Sequence, residues 1–93
     1  MFSMAPEILN SRVRTQKSDI YSFGFIIWEM FNCPDYPFQK LEKDYVIENI
    51  KEYGLKENIS ENIPEKYKYI MNNCWKYNPD ERINIDDIIK ILK

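Results

Sequence analysis

Between residues 19 and 31 apolar side chains recur so often that no polar stripe survives: Ile20, Tyr21, Phe23, Phe25, Ile26, Ile27, Trp28, Met30 and Phe31 cover every face of a helical wheel. That pattern predicts a helix surrounded by protein, at the centre of the fold. Ser18 is the expected N-cap, Asp19 suits the positive end of the helix dipole, and Asn32-Cys33-Pro34 ends the run. From Asp35 to Lys43 the chain reads as a loop kept extended by Tyr36-Pro37-Phe38. Val46, Ile47, Ile50 and Tyr53 then fall at helical spacing, with Gly54 as the C′ stop of a half-exposed second helix. Pro64 opens a third, on which Tyr67, Ile70, Met71, Cys74 and Trp75 follow the i, i+3, i+4, i+7, i+8 series. After the turn signal Asn78-Pro79-Asp80, Asn84 caps a last helix, with Asp87 at the capping-box position and Ile85, Ile88, Ile89 and Leu92 on one stripe. No segment alternates as a strand would. The class is all-α, with about four main helices near residues 19–31, 44–53, 64–76 and 85–92 and no sheet.

A chain of 93 residues and 11.3 kDa forms one domain, and 44% hydrophobic with 15% aromatic residues supplies a core. Thirteen basic residues against 15 acidic ones give a net charge of -2, which lacks the basic surplus a nucleic-acid binder needs. With no histidine, and with Cys33 and Cys74 not arranged as a CxxC pair, neither a zinc site nor histidine acid–base chemistry is supported. The longest apolar run, Phe23 to Trp28, is far short of the roughly 20 residues that span a bilayer. Nothing at the N-terminus reads as a secretory signal, so the expectation is a cytoplasmic, reducing setting with two free thiols and no membrane partner.

Taken alone, the polar residues converge on no mechanism: there is no Ser/His/Asp set, no phosphate-cradling glycine loop and no partnered carboxylate pair. The order of four motifs says more. Met4-Ala5-Pro6-Glu7-Ile8-Leu9 is followed by Ser18-Asp19-Ile20-Tyr21-Ser22-Phe23-Gly24 and then Trp28-Glu29-Met30; after these come Tyr36-Pro37-Phe38 and Cys74-Trp75-Lys76-Tyr77-Asn78-Pro79-Asp80-Glu81-Arg82. In this order and spacing the chain resembles the helical C-terminal lobe of a protein kinase domain, most closely the tyrosine-kinase and tyrosine-kinase-like branches. The resemblance covers residues 1–93, from the end of the activation segment through the last helix of the large lobe. It departs from the family's commoner pattern at Phe2-Ser3 and at Ile83, where Pro often follows the Arg.

The resemblance implies a parent reaction: ATP-dependent phosphorylation of protein Ser/Thr or Tyr hydroxyls, with Mg2+ in the site. The family's Gly-rich loop, strand lysine, catalytic-loop Asp and Asn, and Asp-Phe-Gly all precede Ala-Pro-Glu and are not in this sequence. No catalytic, cofactor-binding or metal residue is therefore assigned, and the chain by itself is expected to be inactive. Its structural residues by resemblance are Glu7, Arg82, Asp19, Gly24 and Trp75. Glu7 and Arg82 form a buried ion pair in that reading, against two solvated charges in the bland one; Asp19 supports the catalytic loop, or is only a first-turn acid. Trp28 and Trp75 are core residues rather than ligand contacts. Expected partners are protein substrates or the missing kinase half, with self-association where absent segments leave the central helix uncovered. The competing function is a non-catalytic helical interaction module.

Overall fold

The computed structural model describes residues 4–54 and 56–93, and among them there are five α-helices, one short 3-10 turn and no strand. The helices are α1 (Pro6–Ser11), α2 (Gln16–Asn32), α3 (Lys43–Tyr53), α4 (Glu65–Cys74) and α5 (Ile85–Leu92), with the 3-10 turn Pro79–Glu81 between α4 and α5. All four predicted helices are present. The additional one, α1, is too short for periodicity to reveal; its local signals are Pro6 at the first helical position and Glu7 in the first turn. It closes at Arg12, whose left-handed backbone (φ 63°) lets its N–H reach the Ile8 carbonyl.

The start of α2 differs from the expected one. Thr15, not Ser18, is the N-cap, and Ser18 occupies the third helical position of a reciprocal capping box. The Ser18 hydroxyl accepts the Thr15 N–H at 3.1 Å, so a serine performs the task usually given to Glu or Gln and the helix gains three residues. Gly54 (φ 68°) closes α3 with its N–H on the Ile50 carbonyl, as expected. At α4 the expected span 64–76 shortens to Glu65–Cys74, with Pro64 as the N-cap, and at α5 the Asn84 side chain makes one bond of the expected capping box by accepting the Asp87 N–H.

Phe25 is the centre of the core. Its ring meets Tyr21 at 5.6 Å, Phe38 at 5.4 Å and Trp75 at 4.8 Å between centroids, which joins α2, α4 and the loop after α2 in one aromatic cluster. Phe38 enters that cluster by a turn, not by the extended backbone expected of Tyr36-Pro37-Phe38. It adopts φ 59°, and its N–H donates to Glu57 Oε2 at 2.8 Å. Burial of the ring and this bond together outweigh the cost of the left-handed backbone.

The molecule measures 36 × 29 × 17 Å along its principal axes, and the short dimension holds about two helix layers. Consequently α2 is not surrounded. Ile20, Tyr21, Gly24, Phe25, Ile27 and Trp28 are buried, whereas Ile26 and Met30 on the opposite side are 53% and 68% exposed. On α3, Val46 and Ile50 face inward while Tyr53 is exposed; on α5 only Ile88 is fully buried, and Ile85, Ile89 and Leu92 remain on the surface.

Candidate functional site: a buried arginine clamp

Arg82 emerges directly from the 3-10 turn, whose geometry is set by Asn78: its side chain accepts the Asp80 N–H at 3.0 Å. The Ile83 N–H then donates to the Asn73 carbonyl at 3.0 Å and anchors the segment to α4. A proline at 83 could not make that bond, which gives the departure at Ile83 a local role. Phe2 and Ser3 lie outside the described residues.

The Arg82 side chain is wholly buried and faces Glu7 on α1. Its Nη1 donates to Glu7 Oε2 at 2.7 Å and its Nη2 to Glu7 Oε1 at 2.8 Å, a two-point contact between residues 75 positions apart. Its remaining donors reach carbonyls: Nε to Lys76 (2.8 Å), Nη1 to Lys17 (2.8 Å) and Nη2 to Tyr77 (3.1 Å). All five guanidinium N–H groups thus have acceptors, the condition under which a buried arginine is tolerated. The guanidinium also sits 4.8 Å from the Tyr21 ring centroid. On the carboxylate side, Ser18 Oγ donates to Glu7 Oε2 at 2.8 Å, and Lys17 Nζ donates back to the Arg82 carbonyl at 2.7 Å.

Electrostatics follow from this packing. Partial burial alone would raise the Glu7 pKa, but hydrogen bonds from Arg82, the backbone and Ser18 reverse the balance and hold it below the ordinary carboxylate value. Burial pushes the Tyr21 phenol up, against the opposing pull of Arg82. Cys74 is likewise buried, and its thiol is pushed up to about 12. With its donors and acceptors engaged internally, the clamp fixes geometry and offers no free nucleophile or base.

Of the other residues singled out in the sequence, Gly24 and Trp75 come together where α2 crosses α4. A Cβ on Gly24 would stand 2.6 Å from Trp75 Nε1 and 3.0 Å from Cys74 Cβ. Trp75 is 3% exposed, as a core residue should be, although its Nε1 is buried without a hydrogen-bond partner among the described residues. Asp19 stands apart from the clamp, on the surface, with its Oδ1 2.8 Å from Arg14 Nη2. Sequence reasoning missed Lys17, Ser18 and Tyr77 as members of the arginine frame. Ser18 carried a capping signal, but the Lys17 and Tyr77 carbonyls act through backbone position, and the Lys17 ammonium meets a backbone carbonyl, so no side-chain pattern announces them.

The clamp joins the segment after Ala5-Pro6 to the loop before the last helix, the arrangement that the motif order implies. A family profile described as protein tyrosine and serine/threonine kinase matches residues 1–92. The chain belongs to this kinase family. Among curated relatives, it is 39% identical over 80 residues to a tyrosine-protein kinase-like otk protein of Drosophila willistoni, covering 85% of this chain and 8% of the relative. It is 36% identical over 90 residues to the insulin receptor of Xenopus laevis, covering 97% of this chain and 6% of the relative. The insulin-like growth factor 1 receptor of Bos taurus gives 36% over 90 residues, 97% of this chain and 14% of the relative. The kinase segment therefore spans only a small fraction of the length of these relatives. No helix among its described residues is long and apolar enough to cross a membrane.

Proposed function

We propose that this segment is the supporting part of a protein kinase large lobe, in a parent protein that transfers the γ-phosphoryl group of ATP to Ser/Thr or Tyr hydroxyls of protein substrates. The observation that carries the reading is the two-point Glu7–Arg82 contact, because it ties the end of an activation segment to the helices beneath it. The residues present do not fit ATP or Mg2+. Both glycines, Gly24 and Gly54, are packed under the side chains of Trp75 and Tyr77 instead of lining a phosphate loop. Among the described residues no three His, Cys, Asp or Glu side chains cluster as metal ligands. No catalytic step is therefore assigned to this chain, whose role is to hold substrate-side and catalytic-loop elements supplied by the rest of the domain. The setting is cytoplasmic signal transduction, with protein substrates and the other part of the kinase domain as partners.

The test is direct. Calorimetry on the 93-residue chain should show no micromolar Mg–ATP site, and no phosphate should pass to a generic substrate; a micromolar site would overturn the assignment. A second reading, a non-catalytic helical interaction module, is favoured by the exposure of Ile26 and Met30 on α2. Genomic sequence upstream of Met1 separates the two. An open frame encoding a Gly-rich loop and a catalytic loop supports the kinase reading, and its absence supports the module.

A further inference from the structure

Tyr77 links the buried clamp to the end of α3. Its backbone carbonyl accepts from Arg82 Nη2 at 3.1 Å, inside the buried clamp. Its side chain points the other way, over the end of α3: Tyr77 Oη donates to the Lys51 carbonyl at 2.7 Å, and the ring lies against Gly54, where a Cβ would meet Tyr77 Cδ1 at 2.9 Å. The same Lys51 carbonyl accepts from Asn10 Nδ2 of α1 at 3.0 Å. One carbonyl in the last turn of α3 thus collects α1 and the segment after α4, and one of its two ties is a phenolic O–H.

Tyr77 is also accessible. It is 46% exposed and lies in irregular backbone between α4 and the 3-10 turn, as Tyr36, 57% exposed, does in the loop after α2, whereas Tyr45, Tyr53 and Tyr69 lie inside helices. Of the two loop tyrosines, Tyr77 is the one whose hydroxyl bonds the end of a helix. An acceptor tyrosine must bring its hydroxyl in line with a bound γ-phosphate, which a side chain on irregular backbone does with less local unfolding than one within a helix.

We propose that Tyr77 is a phosphorylation site, modified by a tyrosine-directed protein kinase, and that phosphate there releases the C-terminal turn of α3. In the transfer, the γ-phosphorus of ATP forms a bond to Tyr77 Oη as its bond to the ADP oxygen breaks, and the phenolic proton passes to the modifying kinase's base. The ester oxygen can no longer donate to the Lys51 carbonyl. A charge of about -2 now stands at the negative end of a helix dipole, the placement in which phosphate disrupts. The proposal is independent of the parent kinase's own activity, because the modifying enzyme is a separate catalyst.

The experiment treats the 93-residue chain with the catalytic domain of a broad-specificity tyrosine kinase and Mg–ATP, and locates phosphate by peptide mass spectrometry. Amide hydrogen exchange is then compared for unmodified, phosphorylated and Tyr77→Phe chains, with Tyr53→Phe removing the most exposed competing acceptor. The expected result is phosphate on Tyr77 and exchange at Ile50–Gly54 faster by about tenfold or more, with α4 unchanged; Tyr77→Phe, which loses only the hydrogen bond, changes less. Labelling of Tyr36 or Tyr53 with Tyr77 unmodified overturns the proposal. So does phosphate on Tyr77 with α3 exchange unaltered, or Tyr77→Phe matching the phosphorylated chain, since charge would then play no part.

Discussion

Gly24 of α2 lies directly against the Trp75 indole, so close that a Cβ at position 24 would stand 2.6 Å from Nε1. Two effects compete in Gly24→Ala. Replacing a helix-interior glycine with alanine stabilises by about 1 kcal/mol, whereas overpacking a filled core costs about 1–3 kcal/mol. Because the contacts are a rigid indole and the Cys74 Cβ at 3.0 Å, the steric term wins. Gly24→Ala should lower the thermal midpoint by several degrees, and Trp75→Phe, which removes the nearest atom, should relieve part of that loss in a double-mutant cycle. Additive effects of the two changes would show that the crossing is not the source.

Arg82→Ala should be strongly destabilising, on the order of 3–5 kcal/mol, because it strands a partly buried Glu7 carboxylate and three carbonyl acceptors. Arg82→Lys keeps the charge but not the planar fork, so it should recover only a minority of that loss. Urea unfolding of the three chains provides the comparison; an Arg82→Ala midpoint equal to that of the unsubstituted chain would contradict the clamp.

Acid should weaken the clamp in a defined direction. The folded-state pKa of Glu7 is depressed below its ordinary value near 4.5, so the unfolded chain takes up the proton first as pH falls. The contribution of Glu7 is therefore complete above about pH 4.5 and is lost as pH falls through the lower folded value. Stability measured between pH 7 and pH 3 should decline in this acidic window, and Glu7→Gln should flatten that part of the curve.

The two thiols should separate cleanly. Cys33 is exposed, while Cys74 is buried with its pKa pushed up to about 12, so at pH 8 it carries almost no thiolate. Iodoacetamide should label Cys33 in the native chain and Cys74 only after denaturant is added. Equal native labelling of both would mean that the α2–α4 interface opens readily.

Exposure of Ile26 and Met30, one helical turn apart on α2, with Phe31 beside them, predicts association of the isolated chain. Sedimentation should show concentration-dependent mass that falls in Ile26→Glu/Met30→Glu, with helical circular dichroism retained. A strict monomer at all concentrations would remove this expectation.

Helix existence was legible in local chemistry. The apolar series of α4, Gly54 at the end of α3 and Asn84 at the start of α5 each satisfy a requirement set by residues within a few positions, and the structure meets each of them. The true start of α2 was local too, but Thr15 and Ser18 are both competent caps, and only the Ser18 hydroxyl's second bond, to Glu7 of α1, engages it in the wider fold. Pairing of Glu7 with Arg82 was legible through the order of motifs and not through any spacing rule, since helix geometry relates positions only three or four apart. What tertiary structure alone decided was which apolar faces are covered and which backbone carbonyls receive the arginine. Ile26 and Ile27 are equally apolar in sequence, yet one is 53% exposed and the other 3%, because burial depends on which element packs alongside. The carbonyls of Lys17, Lys76 and Tyr77 carry no side-chain signature at all, since every residue has one; only the path of the chain brings those three to a single guanidinium.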